Sequence, residues 1–229
     1  MPDEGPGRPQ AVLFDIDGTL ISTGGASDRA WARAFRELQG VDVDVPAVTG
    51  KGVPDPEVGR ECFRAAIGRE PTDEEMEPLM RRRLDHLGEE VESSPGFEVK
   101  DGVGELLERL IDDGILLGLT TGNVEEAAHI KLSRAHLNRF FSFGGYGSDS
   151  PDRTELTRKA LERAELVSGR TLDLARCFSC GDTPRDVEAG HGAGIRVVGV
   201  ATGEYTVEQL LEAGADAAVS SLREGLPLL

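Results

Sequence analysis

Lysine is scarce in this chain. Only Lys51, Lys100, Lys131 and Lys159 occur among 229 residues, and arginine supplies the rest of 25 basic side chains, set against 42 acidic ones. A formal net charge of -17 argues against a partner gripped through its phosphate backbone, so nucleic acid is not expected. The same field repels a small anion, so any anion site must supply its own positive charge. No apolar run is long enough to span a bilayer and no signal-peptide pattern stands at the start, so no membrane association and a cytoplasmic location are expected. Three cysteines build no disulfide framework. Cys177 and Cys180 form a C-x-x-C pattern, but the stretch Ala175-Arg176-Cys177-Phe178-Ser179-Cys180 reads as a strand. Residues three apart on a strand face opposite ways, so structural thiols are expected there rather than a shared metal or a disulfide. The four histidines have no metal-ligand spacing, and His191 reads as a surface helix residue.

The length fits one large domain or one domain carrying an insertion. Residues 1–9, rich in Pro and Gly, read as a disordered tail. An apolar run, Ala11-Val12-Leu13-Phe14, reads as a buried strand. Residues 28–87 are then largely helical, with Ala30, Trp31, Ala34, Phe35 and Leu38 at helical spacing. A loop is expected over 48–55, helices over 57–67 and 72–87, and a capping box at Thr72-Asp73-Glu74-Glu75. Arg81-Arg82-Arg83 reads as a solvated charged face, and Ser93-Ser94-Pro95-Gly96 as a closing turn.

From there strands and helices alternate. Helices are expected over 103–112, 124–135, 155–165, 186–190 and 207–213, and strands over 115–120, 140–143, 176–180 and 195–200. Such alternation gives a doubly wound parallel sheet with helices on both faces, an α/β, Rossmann-like core. The expected division is a core of residues 10–20 and 96–229, with an inserted α-helical segment at 21–95.

Chemistry concentrates where these strands end. Asp15-Ile16-Asp17-Gly18-Thr19-Leu20 puts two carboxylates at the end of the first strand, an edge where ligands bind in parallel α/β sheets. Burying paired acids is costly unless a cation or a proton resolves their repulsion. Leu119-Thr120-Thr121-Gly122-Asn123 offers hydroxyls and free backbone N–H groups at a second strand end, which suits a phosphate. Cys180-Gly181-Asp182-Thr183-Pro184-Arg185-Asp186 again ends a strand and opens a helix. Asp186 falls at the third helical position, where it would cap the helix in any case.

These segments resemble the motifs of the haloacid dehalogenase superfamily, over about residues 10–220. The resemblance implies Asp15 as nucleophile and Asp17 as general acid/base, with its backbone carbonyl offered to Mg²⁺. It implies Thr121 as the phosphate-binding hydroxyl, with Thr120 as fallback and Gly122 and Asn123 beside it. Asp182 is implied as a Mg²⁺ ligand, and Asp186 as a second ligand or an outer acceptor. The helical segment matches the family's cap, hinged at 21–23 and 93–96.

One motif departs. The family places a lysine after the third strand, and none stands there. Arg153 is the best substitute by spacing, ahead of Arg158 and Lys159, although an Arg is no like-for-like replacement. Lys51, between two glycines of the cap loop, is expected to reach the substrate's distal group. Gly24 and Gly25 would let substrate approach the backbone or serve as hinge residues.

The implied activity is a Mg²⁺-dependent phosphatase acting on a small phosphorylated metabolite, similar to phosphoglycolate phosphatases, as a monomer or weak homodimer. A β-phosphoglucomutase-like phosphomutase shares the same motifs, and a non-catalytic binding module on this fold is the reading from another class. Asp17 argues against a dehalogenase and a phosphonatase, which lack that acid, although Lys51 is the kind of cap lysine a phosphonatase uses.

An acidic, lysine-poor surface also suits a salt-rich cytoplasm, whereas a GC-rich genome would give the arginine bias without it. Thermal melts distinguish the two: adaptation to salt predicts a melting temperature that climbs with KCl, and a flat response leaves the genomic explanation.

Overall fold

The computed structural model describes residues 8–227. Residues 1–7 of the expected tail lie outside them, while Arg8 is tied to Asp113 at 3.0 Å. The elements, in chain order, are β1 (Ala11–Phe14), β2 (Ile21–Ser22), α1 (Ala26–Gln39), α2 (Val45–Val48), α3 (Asp55–Ile67), α4 (Asp73–Ser93) and β3 (Glu98–Val99). They continue with α5 (Val103–Asp112), β4 (Leu116–Thr121), α6 (Glu125–Ser133), β5 (Gly144–Tyr146), α7 (Arg153–Ser168) and β6 (Cys177–Gly181). The last are α8 (Pro184–Gly192), β7 (Arg196–Val200), α9 (Val207–Glu212) and β8 (Ala217–Val219).

Six strands form one parallel sheet in the order β5-β4-β1-β6-β7-β8. Side-chain alternation gives it two apolar faces. Val12, Phe14, Leu117, Leu119, Phe178 and Cys180 pack on one face against Leu106 and Leu110 of α5 and Leu132 of α6. Ala11, Leu13 and Cys177 pack on the other against Ala160 and Ala164 of α7. Cys177 and Cys180 therefore face opposite ways, and Cys62, Cys177 and Cys180 are all buried and unbridged. Burial pushes the Cys62 and Cys177 thiols up to about 12 and about 11, which keeps them inert.

Register decides what shares the sheet's C-terminal edge. Phe14 pairs with Leu119 on β4 and with Cys180 on β6, so Asp15 emerges level with Thr120 and Gly181. From β1 the chain moves outward through β4 and β5, then returns to the other side through β6, β7 and β8. The crevice at that reversal is where such sheets bind ligands.

Between β2 and β3, which pair antiparallel, stand the helices α1 to α4. They have a core of their own, built on Trp31, Phe35, Cys62, Phe63 and Leu79. Ala26, Ala30, Leu87 and Val91 pack a second seam against Val124 and Ala127 at the start of α6. The capping box at Thr72 and Glu75 forms at the start of α4. The two entry segments cross at Gly24 and Gly96 so closely that a Cβ on Gly24 would stand 2.5 Å from the Gly96 carbonyl carbon.

Two expectations are corrected. The third strand lies at 144–146 rather than 140–143, and residues 138–140 form a 3-10 turn. The aromatic run Phe140, Phe141 and Phe143 gave the apolar signal, while the true strand begins Gly144-Gly145. A Cβ on Gly145 would stand 1.8 Å from the Leu156 carbonyl oxygen, so the approach of α7 requires a residue that carries no apolar signal.

The second correction concerns Arg83, which is not part of a solvated face. Arg83 is 0% exposed, in line with Leu79 and Leu87 at steps of four on the buried side of α4. Its Nη2 donates to Asp55 Oδ1 at 2.8 Å and to Ser27 Oγ at 3.1 Å, and the guanidinium lies 5.3 Å from the Trp31 ring centre. Asp55 also accepts the Val124 N–H at 3.0 Å through Oδ2, so one carboxylate joins the helical segment to the sheet domain. Asp55→Ala would leave the guanidinium unpaired in the interior, and should cost about 3 kcal/mol of unfolding free energy in urea melts.

Candidate active site

Segments from several strand ends and from the start of α7 meet at the C-terminal edge of the sheet, around a cavity of about 500 Å³. The segment after β1 brings Asp15, Asp17 and Gly18. The β4–α6 turn brings Thr121, Gly122 and Asn123, and the β6–α8 turn brings Asp182 and Thr183. Arg153 comes from the first turn of α7. The helical segment closes the cavity with Gly24, Gly25, Lys51, Gly52 and Asp55, among others.

Asp15, Asp182 and Asp186 are all buried, and one oxygen from each lies within 4.8 Å of the others. The neighbouring backbone leaves them room. Gly18, at φ +89°, would place a Cβ 2.2 Å from Asp182 Oδ2, and Gly203 would place one at 1.9 Å. Burial, reinforced by the charge on Asp186, pushes Asp15 up to about 7 although Arg153 opposes it. Burial, with the charges of Asp186 and Asp15, pushes Asp182 up to about 8. Carboxylates that resist ionisation together in an oxygen-lined, buried cradle fit a hard divalent cation.

The remaining charges are distributed with little redundancy. Asp186 completes the expected capping box, its Oδ2 accepting from Thr183 N–H at 2.9 Å and from Thr183 Oγ1 at 2.7 Å. Its Oδ1 accepts from Arg153 Nη2, which also lies 3.7 Å from Asp15 Oδ1. Arg153 Nη1 donates to the Gly52 carbonyl at 2.9 Å. Arg153 thus touches the first acid, the last acid and the loop of the helical segment. Burial works against its charge, but Asp186, Asp15 and Asp182 outweigh it and hold Arg153 firmly protonated.

Thr121 and Thr120 have different surroundings. Thr121 lines the cavity, and its Oγ1 accepts from Asn123 Nδ2 at 2.8 Å. Thr120 is turned to α7 and bonds Thr157 Oγ1 at 2.9 Å. Lys51 is exposed and lines the cavity wall.

Sequence reasoning missed Lys131, which is 2% exposed on α6 and donates to Asp17 Oδ2 at 2.7 Å. Asn123 Nδ2 donates to the same oxygen at 2.8 Å. Loss of hydration raises the Asp17 pKa, but the Lys131 charge and these hydrogen bonds prevail and hold the carboxyl below its ordinary range. A signal existed: Lys131 stands among Ala127, Ala128 and Leu132, on a face otherwise apolar. Thr19 was also passed over, and its Oγ1 donates to Asp182 Oδ1 at 3.1 Å.

Residues 12–200 match the family described as haloacid dehalogenase-like hydrolase. The chain belongs to that family. This haloacid dehalogenase-like hydrolase is a phosphoric monoester hydrolase. It is 31% identical to an N-acetylmuramic acid 6-phosphate phosphatase of Pseudomonas aeruginosa, over 97% of this chain and 95% of that protein. It is 25% identical to a phosphoglycolate phosphatase of Pseudomonas fluorescens, over 97% of this chain and 80% of the other. Its fold matches the crystal structure of CbbY from Rhodobacter sphaeroides in complex with phosphate, with a TM-score of 0.73 at 20% identity, over 94% and 96% of the two chains.

The raised acids of this hydrolase define a pH-dependent cost. Each binds its proton more tightly folded than at the ordinary value of 3.8, so the penalty grows as pH rises from about 4 through about 7 and about 8. Asp182→Asn should therefore melt higher than wild type in EDTA. The gain should be small at pH 5 and reach a few degrees at pH 8, on the order of 1 kcal/mol.

Proposed function

We propose that this hydrolase is a Mg²⁺-dependent phosphatase that removes phosphate from a small phosphorylated metabolite through an aspartyl-phosphate on Asp15. The observation that carries the reading is the convergence of Asp15, Asp182 and Asp186 within 4.8 Å, with Arg153 alongside. Asp15, the Asp17 carbonyl and Asp182 would hold Mg²⁺. Asp186, whose two oxygens already serve Arg153 and Thr183, suits the outer acceptor role better than direct ligation. When bound, Mg²⁺ supplies charge neutralisation between the nucleophile and the phosphoryl oxygens.

An oxygen of Asp15 attacks phosphorus, and the Arg153 charge beside it favours the ionised form against the burial that opposes it. Thr121 Oγ1 and the N–H groups of the Thr121-Gly122-Asn123 turn donate to the phosphoryl oxygens. Asp17 gives a proton to the leaving ester oxygen and then takes one from the water that attacks the aspartyl-phosphate. A phosphate monoester has its second ionisation near about 6, so its monoanion carries in the proton that Asp17 lacks without substrate. Residues 21–95 act as the cap, and Lys51 reaches the distal group of the substrate while Gly24 and Gly25 let it approach the backbone. A closed cap also excludes bulk water from the aspartyl-phosphate.

The size of the cavity, about 500 Å³, favours a substrate of sugar-phosphate dimensions, since a two-carbon ester would leave most of it to water. The likeness to an N-acetylmuramic acid 6-phosphate phosphatase points the same way.

Phosphate release from a panel running from 2-phosphoglycolate through hexose 6-phosphates to amino-sugar phosphates tests the reading, with Mg²⁺ and with EDTA. Turnover should require Mg²⁺, fall at least about 10³-fold in Asp15→Asn, and rank the sugar esters first. Phosphoryl transfer between sugar hydroxyls without release would instead make it a phosphomutase, and neither reaction on any ester would leave a binding module.

A further inference from the structure

Lys131 has no part in the reaction outlined above, yet it is the group most tightly held against Asp17. Its ammonium is buried, 2.7 Å from Asp17 Oδ2, and the Asn123 amide donates to that same oxygen at 2.8 Å. Among the described residues no donor reaches Asp17 Oδ1. The carboxylate is therefore anchored at one oxygen and free at the other. Asp17 needs such an anchor, because it is followed by Gly18 at φ +89° and is itself partly exposed on the wall of the cavity. A single donor would leave the carboxylate free to turn about the bond to its anchor, whereas two donors on one oxygen fix both its position and its plane.

The source of the anchor matters as much as its strength. Lys131 is on α6, the helix that continues from the Thr121-Gly122-Asn123 turn. Asn123 is in turn held by Thr121 Oγ1 at 2.8 Å. The turn that receives phosphate and the two donors that hold the acid are thus one rigid unit, and the distance from phosphoryl group to proton is built into a single helix.

We infer that Lys131 is a positioning residue for the general acid/base: with Asn123 it holds Asp17 Oδ2, and so makes Oδ1 the oxygen that exchanges the proton with substrate. This rests on the phosphatase reading. In the first step the bond from Asp15 to phosphorus forms, the ester bond breaks, and the proton on Oδ1 passes to the leaving oxygen. In the second step water adds its oxygen to phosphorus while Oδ1 takes its proton. The bond to Asp15 then breaks, phosphate leaves, and Asp17 is again protonated.

The discriminating measurement is the first step alone, followed in single turnovers on two leaving groups. An alkoxide needs a proton to depart, and p-nitrophenolate does not. In Lys131→Met, cleavage of the panel's fastest alkyl ester should slow about 100-fold. The burst of p-nitrophenolate from p-nitrophenyl phosphate should stay within about threefold of wild type. In an Asp17→Asn background, Lys131→Met should slow the alkyl ester no further. Equal slowing of both esters, a change in KM alone, or added loss in the Asp17→Asn background overturns the inference while leaving the phosphatase reading intact. A wild type that releases phosphate from no ester removes that reading instead. Should Lys131→Met fail to fold, Lys131→Gln and the doubly neutral Asp17→Asn/Lys131→Met protein carry the same comparison.

Discussion

Repulsion among carboxylates drawn together at one edge of a parallel sheet is the constraint around which this molecule is organised. Asp15, Asp182 and Asp186 are buried within reach of one another, and both Asp15 and Asp182 are pushed toward neutrality by that crowding. A fold under no other demand would not keep such a cluster, because its cost falls directly on stability. A bound cation would offset that repulsion and turn an unfavourable cluster into a favourable one. The glycines at 18 and 203 belong to the same logic, since a side chain at either position would occupy the space beside Asp182.

The few interior cations are placed against this background. The chain carries a large excess of acid, yet it buries Arg153, Lys131 and Arg83. Each has a separate acid. Arg153 is held between Asp15 and Asp186, Lys131 on Asp17, and Arg83 on Asp55. The first opposes the loss of charge on Asp15, and the second holds the Asp17 carboxyl below its ordinary range. The third joins the helical segment to the N-terminus of α6 through Asp55 and the Val124 N–H. An Arg in place of the family's lysine is consistent with this division, since its two nitrogens reach Asp186 and the Gly52 carbonyl at once, which a single ammonium would do less directly.

The helical segment shares the site rather than merely covering it. Its loop at Gly52 meets Arg153, and the Asp55 N–H donates to the Gly122 carbonyl at 2.7 Å, within the turn proposed to receive phosphate. Any opening of this segment would break these bonds together, so closure and the ordering of the phosphate turn are expected to be linked.

The sequence by itself determined the strand–helix alternation, the inserted helical segment and the strand-end acids. Those depend on hydrophobic period and on local turn chemistry, both of which are written in consecutive residues. It ranked Thr121 ahead of Thr120 without excluding the latter, and it misread Arg83 and the third strand, because those outcomes depend on what lies opposite. A helix packed against bare glycine made β5 a strand without an apolar signal, and a partner 28 residues away turned a surface arginine into a core one. Only the tertiary structure brought Lys131 to Asp17, across 114 positions of sequence. No local pattern records such a pairing, since ion pairs between distant elements are fixed by how helices pack on the sheet and not by the residues that flank them.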